Sequence, residues 1–214
     1  MNQTETQNLS ITDAVAEVKK NAKAKFDESV EVHLRLNIDP KKSDQQVRGV
    51  AELPHGTGKK VKIAVFTTVQ KKEAEESGAD VVGGEELIDK IKSSGKIDAD
   101  ITIATPEMMP KLATIAKILG PKGLMPNPKN QTVTPKVKEI IESLKKGRAD
   151  FKNDNSGNVH QVIGKASFDP EKLEENFKVF IDALKKAKPE GAKGKFVKSV
   201  SICSTMGKAV RVGI

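Results

Sequence analysis

The feature that most constrains the fold is a change of period in mid-chain. From Lys59 onward, residues 61–66 read as a buried strand, 70–77 as a helix, 79–82 as a strand, 85–94 as a helix, 101–104 as a strand and 107–119 as a helix. Strands and helices alternating at that spacing imply βαβ crossovers onto a parallel sheet. A further helix is predicted after Pro135, capped by Thr134, with Val137, Ile140, Ile141 and Leu144 on one face and Gly147 at its end.

The flanks read differently. A helix is predicted over residues 13–25 with Thr12 as its N-cap. A strand follows, with Val30, Val32, Leu34 and Leu36 facing one way and Glu31, His33 and Arg35 the other. Residues 39–58 are polar and turn-rich. On the far side, residues 150–153 and 159–165 flank the turn-forming Asp154-Asn155-Ser156-Gly157, which predicts a hairpin. Asp169-Pro170 opens a helix that buries Leu173, Phe177, Phe180, Ile181 and Leu184, and strands follow over 196–203 and 209–212. Residues 1–58 offer too few elements to bury a core, and residues 150–214 offer strands without cover. The prediction is therefore two domains: a discontinuous α+β domain from 1–58 and 150–214, and an inserted α/β domain, 59–149. Two chain crossings join them and are placed to act as a hinge.

Catalytic readings find little support. Gly56-Thr57-Gly58-Lys59-Lys60-Val61 lacks the third glycine of a dinucleotide fingerprint and precedes a strand instead of following one. No GxxxxGK[ST] run occurs. Gly83-Gly84 precedes a helix, where amides can hold an anion, but a tight turn explains the pair more simply. His33, His55 and His160 have no metal-ligand spacing, and Cys203, in an alternating strand, reads as a buried structural thiol. Asp98 and Asp100 read as solvated loop carboxylates. The expectation is no enzyme, no metal and no cofactor.

Charge points to a polyanion. The chain of 214 residues carries 37 Lys and Arg against 29 Asp and Glu, a formal net charge of +8, which favours phosphate contacts. It has no Trp or Tyr and seven Phe, so recognition should rest on backbone shape and hydroxyls more than on stacked bases. Residues 59–149 hold 17 basic and 12 acidic residues, a net of +5, leaving +3 for the flanks. Bulk charge thus favours the inserted domain as the nucleic-acid binder. No run of 18 apolar residues occurs, the N-terminus has no signal pattern, and a single cysteine fits a reducing compartment. A cytoplasmic protein without membrane contact is expected.

One segment stands apart: Gly120-Pro121-Lys122-Gly123-Leu124-Met125-Pro126-Asn127-Pro128-Lys129. Three prolines and two glycines in ten residues exclude helix and strand, and predict a stiff, basic, exposed loop. The run resembles the signature of the universal large-subunit ribosomal protein L-one family, bacterial type. Lys25-Phe26-Asp27-Glu28-Ser29-Val30-Glu31, Ile38-Asp39-Pro40, Ser43-Asp44-Gln45-Gln46-Val47-Arg48-Gly49 and Leu53-Pro54-His55-Gly56 match it in order. So do Gly164-Lys165-Ala166-Ser167-Phe168, Lys188-Pro189-Glu190-Gly191-Ala192-Lys193-Gly194 and Ser204-Thr205-Met206-Gly207.

The resemblance implies a discontinuous α+β domain with an inserted Rossmann-like, three-layer α/β domain. It implies a structural ribosomal protein on the large subunit, at the mobile stalk. Its partners would be large-subunit rRNA, the deacylated exit-site tRNA whose release it assists, and its own operon mRNA, which it represses. A free repressor acting mainly on mRNA is the alternative. Outside the ribosome it would be a monomer. The RNA-binding residues carried over are Lys25, Phe26, Ser29, Glu31, Lys165, Ser204, Thr205, Met206 and Gly207. In this scheme Ser29 and Thr205 supply hydroxyls, Glu31 an acceptor for a ribose 2′-OH, and Met206 an apolar surface. Gly207 allows close backbone approach, and Lys25 and Lys165 face phosphates. Lys208 stands where the family usually has proline. Taken singly, Phe26 also reads as a core residue and Met206 as a gap filler.

Overall fold

A computed structural model describes residues 8–68, 70–192 and 194–213, apart from the side chains of Ser43 and Lys129. Contacts divide the chain into two compact units, 1–58 with 146–214, and 59–145.

In the terminal unit, helix α1 (Ile11–Asn21) leads into strand β1 (Ser29–Leu36) and then β2 (Arg48–Glu52). The helix starts earlier than predicted, because the Ser10 hydroxyl, not that of Thr12, accepts the Asp13 N–H at 3.2 Å. It also ends before residue 25, at Asn21.

After the intervening unit come β6 (Arg148–Lys152), β7 (Asn158–Lys165), helix α7 (Pro170–Lys186), β8 (Val197–Ser204) and β9 (Val210–Val212). Four strands form one sheet in the order β7-β1-β8-β9. The N-terminal strand thus lies between two C-terminal ones, antiparallel to both, and neither end of the chain can form this sheet alone. Val30, Val32, Leu34 and Leu36 of β1 pack inward with Val15 and Val18 of α1 and Leu173, Phe177 and Phe180 of α7. The opposite face, with Glu31, His33 and Arg35, remains partly or fully exposed.

The predicted hairpin does not form. Strand β6 pairs with β2 in a separate two-stranded sheet, and only an isolated bridge, Asn153 to Val159, links it toward β7. The turn between them is real. The Asp154 carboxylate accepts N–H bonds from Ser156 at 2.8 Å and Asn158 at 2.7 Å.

Pairing of Ala149 with Ala51 also moves the boundary. Residues 146–149, expected in the inserted domain, belong to the terminal unit. Gly147 is essential there, with φ 111°, and a Cβ on it would lie 2.2 Å from Gly56 Cα. The outgoing and returning segments touch at these two glycines.

Unit 59–145 holds β3 (Ile63–Phe66), α2 (Lys71–Glu76), β4 (Val81–Gly83), α3 (Glu85–Ser94), β5 (Ile101–Ala104), α4 (Met109–Leu112), α5 (Ala116–Leu119) and α6 (Val137–Lys146, whose last residue falls across the boundary). Its sheet is parallel, in the order β4-β3-β5. Helices cover both faces. Phe66 and Ala104 pack with α3, α4 and α5, while Ile63, Val65 and Ile103 pack with α2 and α6. The helix expected over 107–119 is instead four short pieces, two of them 3-10 turns. The proline-rich segment after it is less exposed than its composition suggests. Leu124 and Pro126 are buried, and the Thr102 hydroxyl donates to the Leu124 carbonyl.

Candidate RNA-binding surface

The start of β1, the end of β7 and the turn after β8 meet at one end of the four-stranded sheet. Ser29 lies opposite Lys165 in the β1–β7 register, and Val30 opposite Ser204 in the β1–β8 register. A bulge between Val30 and Glu31 interrupts the β7 side at this point, the kind of local twist that re-aims side chains at sheet ends.

Thr205 is bound tightly to Ser29. Its N–H donates to the Ser29 carbonyl at 3.1 Å, and its hydroxyl accepts the Ser29 N–H at 3.0 Å. The hydroxyl foreseen as an RNA contact is therefore engaged in holding the turn against β1. The Ser29 hydroxyl accepts from Lys165 Nζ at 2.9 Å and keeps its own proton to donate. Lys165 also reaches the Asp27 carbonyl at 3.4 Å.

Around this cluster stand two exposed apolar side chains. Phe26 is 56% and Met206 74% exposed, so neither is a core residue or a gap filler. A single exposed hydrophobe is ordinary, but these two stand on segments that both bond to one carboxylate, that of Glu28. Lys25 is exposed beside Phe26. Glu31, half-exposed, lies farther up the same outer face. Ser204 points inward and is 1% exposed, so it is placed to support the turn and not to touch a partner. Gly207 fits over it, since a Cβ there would lie 2.3 Å from Ser204 Oγ.

The residue that organises the site is one that the sequence reading passed over. Glu28 is 1% exposed. One carboxylate oxygen accepts the Ala24 N–H at 2.9 Å and the other the Met206 N–H at 2.9 Å. These donors, Met206 first and Ala24 second, with help from the Ser204 hydroxyl and against the effect of burial, hold its pKa below the usual carboxylate range. Glu28 thereby ties the loop bearing Lys25 and Phe26 to the turn bearing Met206. Beside it, the Asp27 carboxylate accepts the Ser167 N–H at 3.1 Å and hydroxyl at 2.9 Å.

The outer face continues into a hydrogen-bonded row. His33 Nδ1 and His160 Nδ1 are 2.7 Å apart, and His33 Nε2 lies 3.0 Å from Cys203 Sγ. Burial, then His160, pulls the His33 pKa below its ordinary value against the pull of Glu31, which favours the neutral ring. Cys203 faces this row, half-buried rather than fully buried. Burial, then Glu31, pushes its thiol pKa up, which argues against a nucleophile.

Residues 18–208 match the sequence model of the ribosomal protein L1p/L10e family. The chain belongs to that family. It is 53% identical over 194 residues to a protein of Mycoplasma capricolum subsp. capricolum, a match covering 91% of this chain and 86% of the relative. It is 50% identical to a protein of Mycoplasma mycoides subsp. mycoides SC over 94% of this chain and 89% of that one. A third relative, from Mesoplasma florum, is 48% identical over 96% of this chain and 90% of its own length. All three are named large ribosomal subunit protein uL1. Membership makes this chain a ribosomal protein and not an enzyme.

Proposed function

We propose that the chain binds large-subunit rRNA through the Phe26–Ser29–Lys165–Met206 surface, as a component of the ribosome's mobile stalk. The observation that carries this reading is the pair of exposed apolar side chains, Phe26 and Met206, on segments locked together by the buried Glu28. Their backbones are fixed before any partner arrives, which lowers the ordering cost of binding. Ser29 Oγ can donate to, and Glu31 accept from, a ribose 2′-OH, the group that separates RNA from DNA. Lys25, Lys165 and Lys208 can neutralise phosphates around them.

The charge of the unit supports the same placement. With the boundary at 145/146, Lys146 and Arg148 count with the terminal unit. It then holds 22 basic and 17 acidic residues, a net of +5, against 15 and 12, a net of +3, for unit 59–145.

From the family resemblance follow two finer roles: assisting release of deacylated tRNA from the exit site, and repressing translation of its own operon mRNA. A surface that reads ribose and backbone serves rRNA and mRNA alike, so repression needs no second site. A cytoplasmic location on the large subunit goes with this reading. Footprinting the purified protein on total ribosomal RNA tests it, and protection confined to one stalk-like region of the large-subunit RNA is the expected result. A filter-binding comparison with the operon mRNA at matched salt separates the ribosomal role from that of a free repressor. Tighter binding to the messenger would reverse the order of the two.

A further inference from the structure

In unit 59–145 the first strand, β3, is central: the chain leaves it for β4 on one side and later returns to β5 on the other. The space outside the carboxyl ends of β3 and β5 is the position where open α/β sheets form ligand crevices. Thr67 directly follows β3, and Thr105, Pro106 and Glu107 directly follow β5. Together with Gln70 and Pro135 they line a cavity of about 280 Å³ at this point. The Thr105 N–H is bonded to the Phe66 carbonyl at 3.1 Å, which fixes the rim to the central strand.

Two side chains in this cavity are unsatisfied. Thr105 is 9% exposed, and among the described residues its hydroxyl has no hydrogen-bond partner, nor has Gln70 Oε1. A buried polar atom in a native protein is usually paired, so two unpaired ones lining one cavity call for an explanation. The Thr67 hydroxyl already accepts the Gln70 N–H at 3.2 Å.

We propose that this crevice binds an unpaired, amino-bearing nucleobase. Of the polar groups on the lining, Gln70 Oε1 and the Glu107 carboxylate only accept, while the Thr105 and Thr67 hydroxyls can also donate, so a ligand that brings N–H donors suits the site. Pro106 and Pro135 offer flat apolar walls suited to a planar ring. The volume, about 280 Å³, falls just below the usual range for ligand pockets, about 300–1,000 Å³, and suits one ring system, not a dinucleotide. Glu107 on the lining disfavours a phosphate. Every lining residue belongs to unit 59–145, and failure of this proposal would leave the rRNA reading untouched.

The test uses the full-length, 15N-labelled protein titrated with adenosine, cytidine and uridine, and with trinucleotides of the same bases. Adenosine and cytidine should shift the amide resonances of Thr67, Gln70, Thr105 and Glu107, with uridine, which lacks the amino group, binding more weakly. Thr105→Val keeps the shape and removes the hydroxyl, and should weaken binding about tenfold. Gln70→Leu is the second variant should the first fail to fold. Tighter binding of the trinucleotide than of the nucleoside would identify the ligand as a base within RNA, and equal binding as a free base. Absence of shifts at these amides, uridine binding as well as adenosine, or undiminished binding by both variants would overturn the proposal.

Discussion

At the residue scale, the site depends on groups that never face a partner. The Thr205 hydroxyl accepts the Ser29 N–H, so Thr205→Ala leaves that donor without its acceptor. It should lower stability by about 1–2 kcal/mol in chemical denaturation while preference for RNA over DNA persists, since the proposed surface assigns that preference to Ser29 and Glu31. Unchanged stability would return Thr205 to the role of direct contact. Glu28 makes a pH prediction. Its folded pKa is depressed, so its contribution is complete above the ordinary carboxylate pKa and is lost as pH falls through the lower folded value. RNA affinity should therefore fall in acid, and Glu28→Gln should weaken binding at neutral pH and flatten that acid limb. A variant that keeps the wild-type profile would remove Glu28 from this role. Phe26 and Met206, the exposed pair proposed to meet RNA, were singled out through family motifs. Glu28 was not, because its partner Met206 lies 178 positions away, and a lone Glu after Asp27 reads as solvated.

Among the elements, those defined by their own periodicity were legible and those defined by their partners were not. The stripe of Leu173, Phe177, Phe180, Ile181 and Leu184 foretold the buried face of α7. Alternation likewise gave the faces of β1, but it does not say which strand lies beside which, and so β6 was placed against β7 instead of β2. Nor does the apolar pattern disclose Asn176, fully buried on α7. Its amide Nδ2 donates to the Gly56 carbonyl at 3.0 Å and the Ile163 carbonyl at 2.7 Å, and its Oδ1 accepts the His55 N–H at 3.2 Å. It fastens the segment before the first crossing to the helix and to β7. Asn176→Leu, close in volume, should cost about 3 kcal/mol by leaving these groups unpaired. A melting temperature equal to wild type would show that the clamp is dispensable.

For the whole molecule, two units built from three chain segments imply unequal autonomy. Residues 59–145 contain every strand of their own sheet and, expressed alone, should unfold cooperatively by circular dichroism. Residues 1–58 lack the neighbours of β1, namely β7 and β8, and should remain unfolded alone. A structured 1–58 fragment would contradict this. The two-unit plan was legible because neither flank could bury a core alone, whereas the boundary was displaced because the pairing of Arg148 and Ala149 with Glu52 and Ala51 of β2 leaves no mark in the sequence.

The central claim, that RNA meets the exposed apolar pair at the end of the terminal sheet, is tested most directly by a double variant, Phe26→Ala with Met206→Ala. Its affinity for large-subunit rRNA and its melting temperature should be measured on the same sample. The account predicts a melting temperature close to wild type, since both side chains are exposed, with an affinity loss of about 2–4 kcal/mol, the scale of two interface contacts. An unchanged affinity at an unchanged melting temperature would place the RNA elsewhere.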